Sequence, residues 1–129
     1  MRLLLDTCAL IWLAAEPARI ASTAARALDA DTSWLLVSHA SLWEICNKCA
    51  SGKLELPSKP RRWVNDQIAA RGADELPIER AALDRMSELP LHHRDPFDRM
   101  LAAQALVHGL TIVSPDRAFD AYGARRLWS

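Results

Sequence analysis

Three short runs of the chain are apolar almost without interruption, at residues 3–5, 34–37 and 110–113. Continuous apolar character over so few residues suits strands that are covered on both faces. Between and after these runs the apolar positions recur three and four apart, which predicts helices over 8–15, 20–30, 41–50, 61–71, 78–88 and 96–108. Two weaker strand signals lie at 75–77 and 125–128. Strands alternating with helices predict an α/β fold, with a mainly parallel central sheet flanked by helices on both faces. Gly52, Gly72, Gly109 and Gly123 each follow a helical stretch, where a left-handed cap falls. No glycine is left for a phosphate-cradling loop: neither GxGxxG nor GxxxxGK[ST] occurs, which counts against the common nucleotide-cofactor enzymes.

Composition narrows the picture. At 129 residues and 50% hydrophobic, residues 1–129 suit one domain with a filled core. Sixteen Lys and Arg balance sixteen Asp and Glu, so a nucleic-acid partner must be held by a local basic surface rather than by bulk charge. Three cysteines, an odd count, argue for a reducing compartment, and a cytoplasmic protein is expected. Leu3, Leu4 and Leu5 look like the start of a secretory signal, but Asp6 breaks the run. The apolar stretch that follows is far shorter than the ~20 residues of a membrane span, so no membrane partner is expected.

The chemistry lies in four separated acids, Asp6, Glu44, Asp98 and Asp116, each just after a strand signal or early in a helical one. Helix capping accounts for each singly, because acids stabilise helix N-termini. Ser41 to Glu44 reads as a capping box, and Asp95-Pro96-Phe97-Asp98 as a cap, a proline at the first helical position and an acid at the third. Ser114-Pro115-Asp116 repeats that grammar, and Asp6 can cap the helix that starts near Cys8. Capping does not explain their shared placement. In an open parallel sheet the ligand site lies beyond the carboxyl ends of the strands, where all four can meet. Two like charges ~4 Å apart repel by about 4 kcal/mol at an effective dielectric of about 20, so four such carboxylates need protons or a cation. No lysine or arginine in these motifs is placed to neutralise them, whereas Mg²⁺ or Mn²⁺ takes carboxylate oxygens as ligands.

The motifs around these acids resemble the PIN domain, and within it the VapC-type toxins of bacterial type II toxin-antitoxin pairs. The resemblance is carried, in order, by Leu3 to Trp12 around Asp6-Thr7, by Ser38 to Ile45 around Glu44, by His93 to Ala105 around Asp98, and by Ile112 to Asp116. It implies a single PIN-like domain and an acidic pocket of Asp6, Glu44, Asp98 and Asp116, with Thr7 and Ser114 as hydroxyl neighbours. It selects Asp98 as the third acid; Asp95 is then a helix cap beside the site, direct participation being the alternative. The implied activity is Mg²⁺-dependent endoribonuclease cleavage by a metal-activated water. Asp6, Asp98, Asp116 and Glu44 would serve as metal ligands, and Glu44 would also orient or deprotonate the water. A VapB-type antitoxin, an RNA substrate, a homodimer and a toxin-antitoxin hetero-oligomer are the implied partners. The likeness also places the helices of Trp12 and Trp63 around a groove for the antitoxin's C-terminal segment.

Arg94, Arg99 and Arg117 lie closest in sequence to the acids and are the RNA-binding candidates, since guanidinium groups suit phosphate. Arg61 and Arg62 read as surface charge. Cys46 and Cys49 form a CxxC inside a helical stretch with no second pair, so incidental thiols are expected rather than zinc or redox chemistry. His39, His92, His93 and His108 read as surface or loop residues, and most of the five tryptophans as core. Two other classes compete with a nuclease: a PIN-like module that binds RNA or protein without cutting, and a receiver-type signalling domain. The receiver would need a doubled acid after its first strand and a lysine after a late one, where this chain has Leu5-Asp6-Thr7 and Ser114-Pro115-Asp116.

Overall fold

In a computed structural model, which describes residues 1–91 and 95–129, five strands form one parallel sheet. The strands are β1 (Arg2–Leu5), β2 (Trp34–Ser38), β3 (Asp74–Leu76), β4 (Thr111–Val113) and β5 (Arg125–Leu127). The helices are α1 (Thr7–Ala15), α2 (Ser22–Asp29), α3 (His39–Ala50), α4 (Pro60–Arg71), α5 (Arg80–Glu88) and α6 (Pro96–His108), with 3-10 turns at Pro17–Arg19 and Arg117–Tyr122.

Alternation along each strand divides the core into two layers. Leu4, Leu36, Leu76 and Ile112 pack with residues of α5 and α6, while Leu3, Leu5, Leu35, Val37 and Val113 pack with residues of α1 to α4. This two-sided burial is why the central strands read as unbroken apolar runs. The strand order is β3-β2-β1-β4-β5, so the chain reverses its direction of travel across the sheet between β1 and β4. Receiver-type domains follow the order 2-1-3-4-5. The observed order rules that alternative out.

Several boundaries moved from their expected places. α3 starts at His39 because the Ser38 hydroxyl accepts a hydrogen bond from the Ala40 amide, making Ser38 the cap. The expected capping box from Ser41 to Glu44 therefore does not exist, and Glu44 lies in the second turn. The helix expected over 20–30 starts later, at Ser22, because Ile20 and Ala21 are extended between the 3-10 turn and α2. All four glycines have positive φ, as expected; Gly109 (φ 65) closes α6 in the left-handed region that a side chain resists.

The tryptophans are less buried than expected. Trp63 is in the core, whereas Trp12 and Trp128 are half-buried against each other at 5.9 Å, and Trp34 and Trp43 are exposed. Each exposed indole has a local reason. Trp34 donates from Nε1 to Asp74 under the Arg2 guanidinium, and Trp43 meets Phe97 edge to face.

Candidate functional site

The sheet reverses between β1 and β4, and the crevice expected at such a switch point opens beyond their carboxyl ends. Asp6 follows β1 directly, and its amide donates to Val113 O at 3.1 Å, so the β1–β4 ladder continues into the crevice. The Asp6 carboxylate accepts from the Ala9 amide at 2.6 Å, capping α1 as expected. Ser114, buried at the end of β4, hydrogen-bonds to the same carboxylate and accepts from the Asp116 amide at 3.0 Å. Arg126 of β5 holds the Ser114 carbonyl at 3.1 Å.

The other walls come from the two helices that start at this edge. The Thr7 hydroxyl donates to Ser41 Oγ at 2.9 Å, fixing α1 against α3 and setting Glu44 into the crevice three residues later. α6 is held in register by Gln104, fully buried, which accepts from the Ser38 hydroxyl and donates to Pro77 O at 3.2 Å. At its head Asp95 accepts from the amides of Phe97 and Asp98, so Asp95 is the cap and Asp98 the first-turn acid, as the sequence grammar required. Asp116 differs from expectation. Its own side chain caps the turn Arg117–Tyr122 by accepting from Ala118, rather than standing at a third helical position.

Asp6, Thr7, Glu44, Asp95, Asp98 and Asp116 thus line one cleft of ≈ 340 Å³. The four predicted acids meet there, with Asp95 beside them. Burial is the main cause that pushes the Asp6 carboxyl up to about 6 from 3.8. The Ser114 and Ala9 hydrogen bonds oppose that rise, and the charges of Glu44 and Asp116 add to it. Cys8, at the same rim, is pushed up to about 11, again chiefly by burial.

One residue of the cleft runs against expectation. Lys48 lies one turn beyond Glu44 on α3, and its ammonium is 2.6 Å from Glu44 Oε2. The hydrogen bond to Glu44 holds the Lys48 ammonium above the usual lysine range, with Asp95 and Asp98 adding to the effect. A basic group therefore does reach the acids; its signal was the Glu-to-Lys spacing of four on a helix. Ser41, read as the cap of a capping box, and Gln104, a polar position within a helix, were also missed as positioning residues.

The donor set suits a hard divalent cation: every acidic group is an oxygen donor, and the buried Glu44 Oε1 has no hydrogen-bond partner among the described residues. Among those residues no three of the Asp, Glu, His or Cys side chains are yet drawn together tightly enough to hold an ion.

The basic candidates fare unequally. Arg99 is occupied elsewhere: its guanidinium donates to Pro90 O at 2.9 Å and Met86 O at 3.0 Å, with longer contacts to Leu89 O and the Tyr122 hydroxyl. It closes the end of α5 and does not line the cleft. Arg117 is exposed in the turn that Asp116 caps, and Arg94, His92 and His93 lie outside the described residues. Arg62 is exposed and stands 3.9 Å from Asp66; Arg61 is exposed beside it. Cys46 and Cys49 are free thiols. His39 pairs with Glu75 of β3 at 3.2 Å, and His108 stands 3.9 Å from Glu79. No helix among the described residues is long and apolar enough to cross a membrane.

The family model described as PIN domain matches residues 3–125. No curated protein matches the chain. Among solved structures, a chain of VapBC2 from Rickettsia felis, bound to a DNA fragment from its promoter, is similar with a TM-score of 0.73 at 13% identity, covering 100% of both chains. DNA-bound VapBC from Salmonella typhimurium gives a TM-score of 0.73 at 21% identity over 98% of this chain and 97% of the other. FitAcB from Neisseria gonorrhoeae gives 0.60 at 20% identity over 97% and 96%.

Proposed function

On the premise that this chain belongs to the PIN domain family, we propose that it is a divalent-metal-dependent endoribonuclease and the toxin of a VapBC-type toxin-antitoxin pair. The observation that carries this reading is the meeting of Asp6, Glu44, Asp98 and Asp116 on one cleft at the switch point of the sheet. Mg²⁺, or Mn²⁺, would supply Lewis acidity there and make a water nucleophilic near neutral pH. Asp6, oriented by the Ala9 amide and the Ser114 hydroxyl, would be the principal ligand, with Asp98, Asp116 and Glu44 as the other residues that would hold the ion. Glu44 is held by α3 on the cleft, with Oε1 buried and without a hydrogen-bond partner among the described residues, and would take the proton of the attacking water. In-line attack on phosphorus expels the 3′ oxygen and leaves a 5′ phosphate on one product. Arg117, and Arg94 by its place in the sequence, are the remaining arginines suited to the RNA backbone.

The antitoxin partner draws support from the two VapBC complexes among the similar structures. A second groove of ≈ 560 Å³, lined by Ile11, Leu56 and Trp63 with Glu55 and Arg62 at its rim, fits an amphipathic segment of such a partner. Trp12 borders the acidic cleft instead. A homodimer, a toxin-antitoxin hetero-oligomer and a cytoplasmic location complete the reading. The competing reading, a PIN module that binds RNA without cutting, draws on the incomplete approach of the acids to one another. Sequencing of RNA 5′ ends after brief expression separates the two. New 5′ ends that appear with the wild type and vanish with Asp98→Asn are expected; identical ends in both strains would overturn the nuclease reading.

A further inference from the structure

Lys48 and Glu44 form a pair with unequal freedom. The Glu44 side chain is 6% exposed and fixed on the inner face of α3, whereas Lys48 is 45% exposed at the mouth of the cleft. The ammonium sits 2.6 Å from Glu44 Oε2, while Oε1 of the same carboxylate is buried without a hydrogen-bond partner among the described residues. Asp6, Asp95, Asp98 and Asp116 line the same cleft as this ammonium. A tethered cation so placed offsets part of the repulsion among the acids. It also holds one oxygen of a carboxylate whose other oxygen is buried without a hydrogen-bond partner among the described residues. Lysine suits such a role, because its compact ammonium rides on a flexible four-carbon stem and is readily rehydrated once it leaves.

Resting on the reading of this cleft as a metal site, we propose that Lys48 is a built-in counter-ion that competes with the divalent cation for Glu44. It stabilises the acidic cleft in the absence of metal, and its ammonium is displaced towards solvent when the ion binds. The displaced ammonium remains at the cleft mouth, where a phosphate of the RNA would arrive. An ordinary Glu-to-Lys pair on a helix surface would support the helix without affecting metal affinity.

The test is calorimetric titration of the purified protein with MnCl₂, in 0.1 M and 0.5 M KCl, for the wild type, Lys48→Met, Lys48→Arg and Lys53→Met. Lys53 lies exposed just beyond α3 and does not line the cleft, so its variant reports the effect of net charge alone. Lys48→Met is expected to bind Mn²⁺ roughly 2- to 5-fold more tightly than the wild type, the size of one partly exposed ion pair. That gain should persist at the higher salt, where charges acting beyond contact are screened. Lys48→Arg and Lys53→Met should bind as the wild type does. Lys48→Gln is the second neutral variant, and far-UV circular dichroism checks that each protein is folded. Equal affinities for the wild type and both neutral Lys48 variants would overturn the proposal, as would an equal gain from Lys53→Met. Absence of Mn²⁺ binding in every protein would overturn the reading of the cleft as a metal site, and the proposal with it.

Discussion

Asp6 serves two roles through one carboxylate. Its accepted hydrogen bond caps α1, while its buried position among other acids opposes ionisation and raises its pKa from 3.8 to about 6. In the unfolded chain the proton leaves near 3.8, and in the folded protein near 6, so the native state holds the proton more tightly between those values. Stability from this group is therefore fully present below about pH 4 and is lost as pH rises to about 6. The rise from 3.8 to about 6 corresponds to about 3 kcal/mol. Asp6→Asn keeps an oxygen for the Ala9 amide and removes the charge. In urea melts without metal it is predicted to be about 2–3 kcal/mol more stable than the wild type at pH 8, with the gain gone near pH 4. Parallel pH profiles for the two proteins would contradict this. At this scale the sequence was ambiguous for a physical reason: capping and ligation use the same residue types, and Asp6 and Asp116 do cap. Lys48 was overlooked because its partner is one turn away on a helix face, and only burial of Glu44 turns that ordinary pair into part of a site.

α6 shows how an element delivers a site residue. Pro96 and the Asp95 cap start it at the sheet's ligand edge, Gln104 ties its middle to Ser38 and Pro77, and Gly109 ends it before β4. Because α6 runs back across the sheet to deliver β4, its N-terminus and Asp98 reach the edge where Asp6 stands. That geometry follows from helix length and connection alone, and was legible. The role of Arg99 was not. Nearness in sequence to Asp98 suggested phosphate binding, but one position along a helix is a turn of about 100°. The side chain points instead at the carbonyls that end α5, where a cation is favoured. Arg99→Ala is predicted to cost about 1–3 kcal/mol in denaturant melts, through carbonyls left without donors. Arg117→Ala should leave stability unchanged and weaken RNA binding. A stable Arg99→Ala protein with selectively reduced RNA affinity would reverse these assignments.

Across the whole molecule, strand identity was readable from three apolar runs because both faces of the central sheet are covered. The order β3-β2-β1-β4-β5 was not, since it depends on contacts between residues far apart in the chain. That order sets β1 beside β4 and so brings Asp6 to Ser114 and Asp116. Trp34 and Trp43 misled for a related reason: hydrophobic size predicts burial, yet both rings sit at edges where an acid or another ring suffices. With formal net charge 0, the proposed RNA substrate would have to be engaged through a local surface around the cleft rather than by bulk charge. The most direct measurement is cleavage of a defined RNA by purified wild type and Asp6→Asn, in MgCl₂, in EDTA, and after Mg²⁺ is restored. Metal-dependent cleavage by the wild type, abolished in EDTA, recovered on readdition and at least ~100-fold slower in a folded Asp6→Asn protein, is predicted. Cleavage at the same rate by both proteins, or at the same rate in EDTA, would contradict the account.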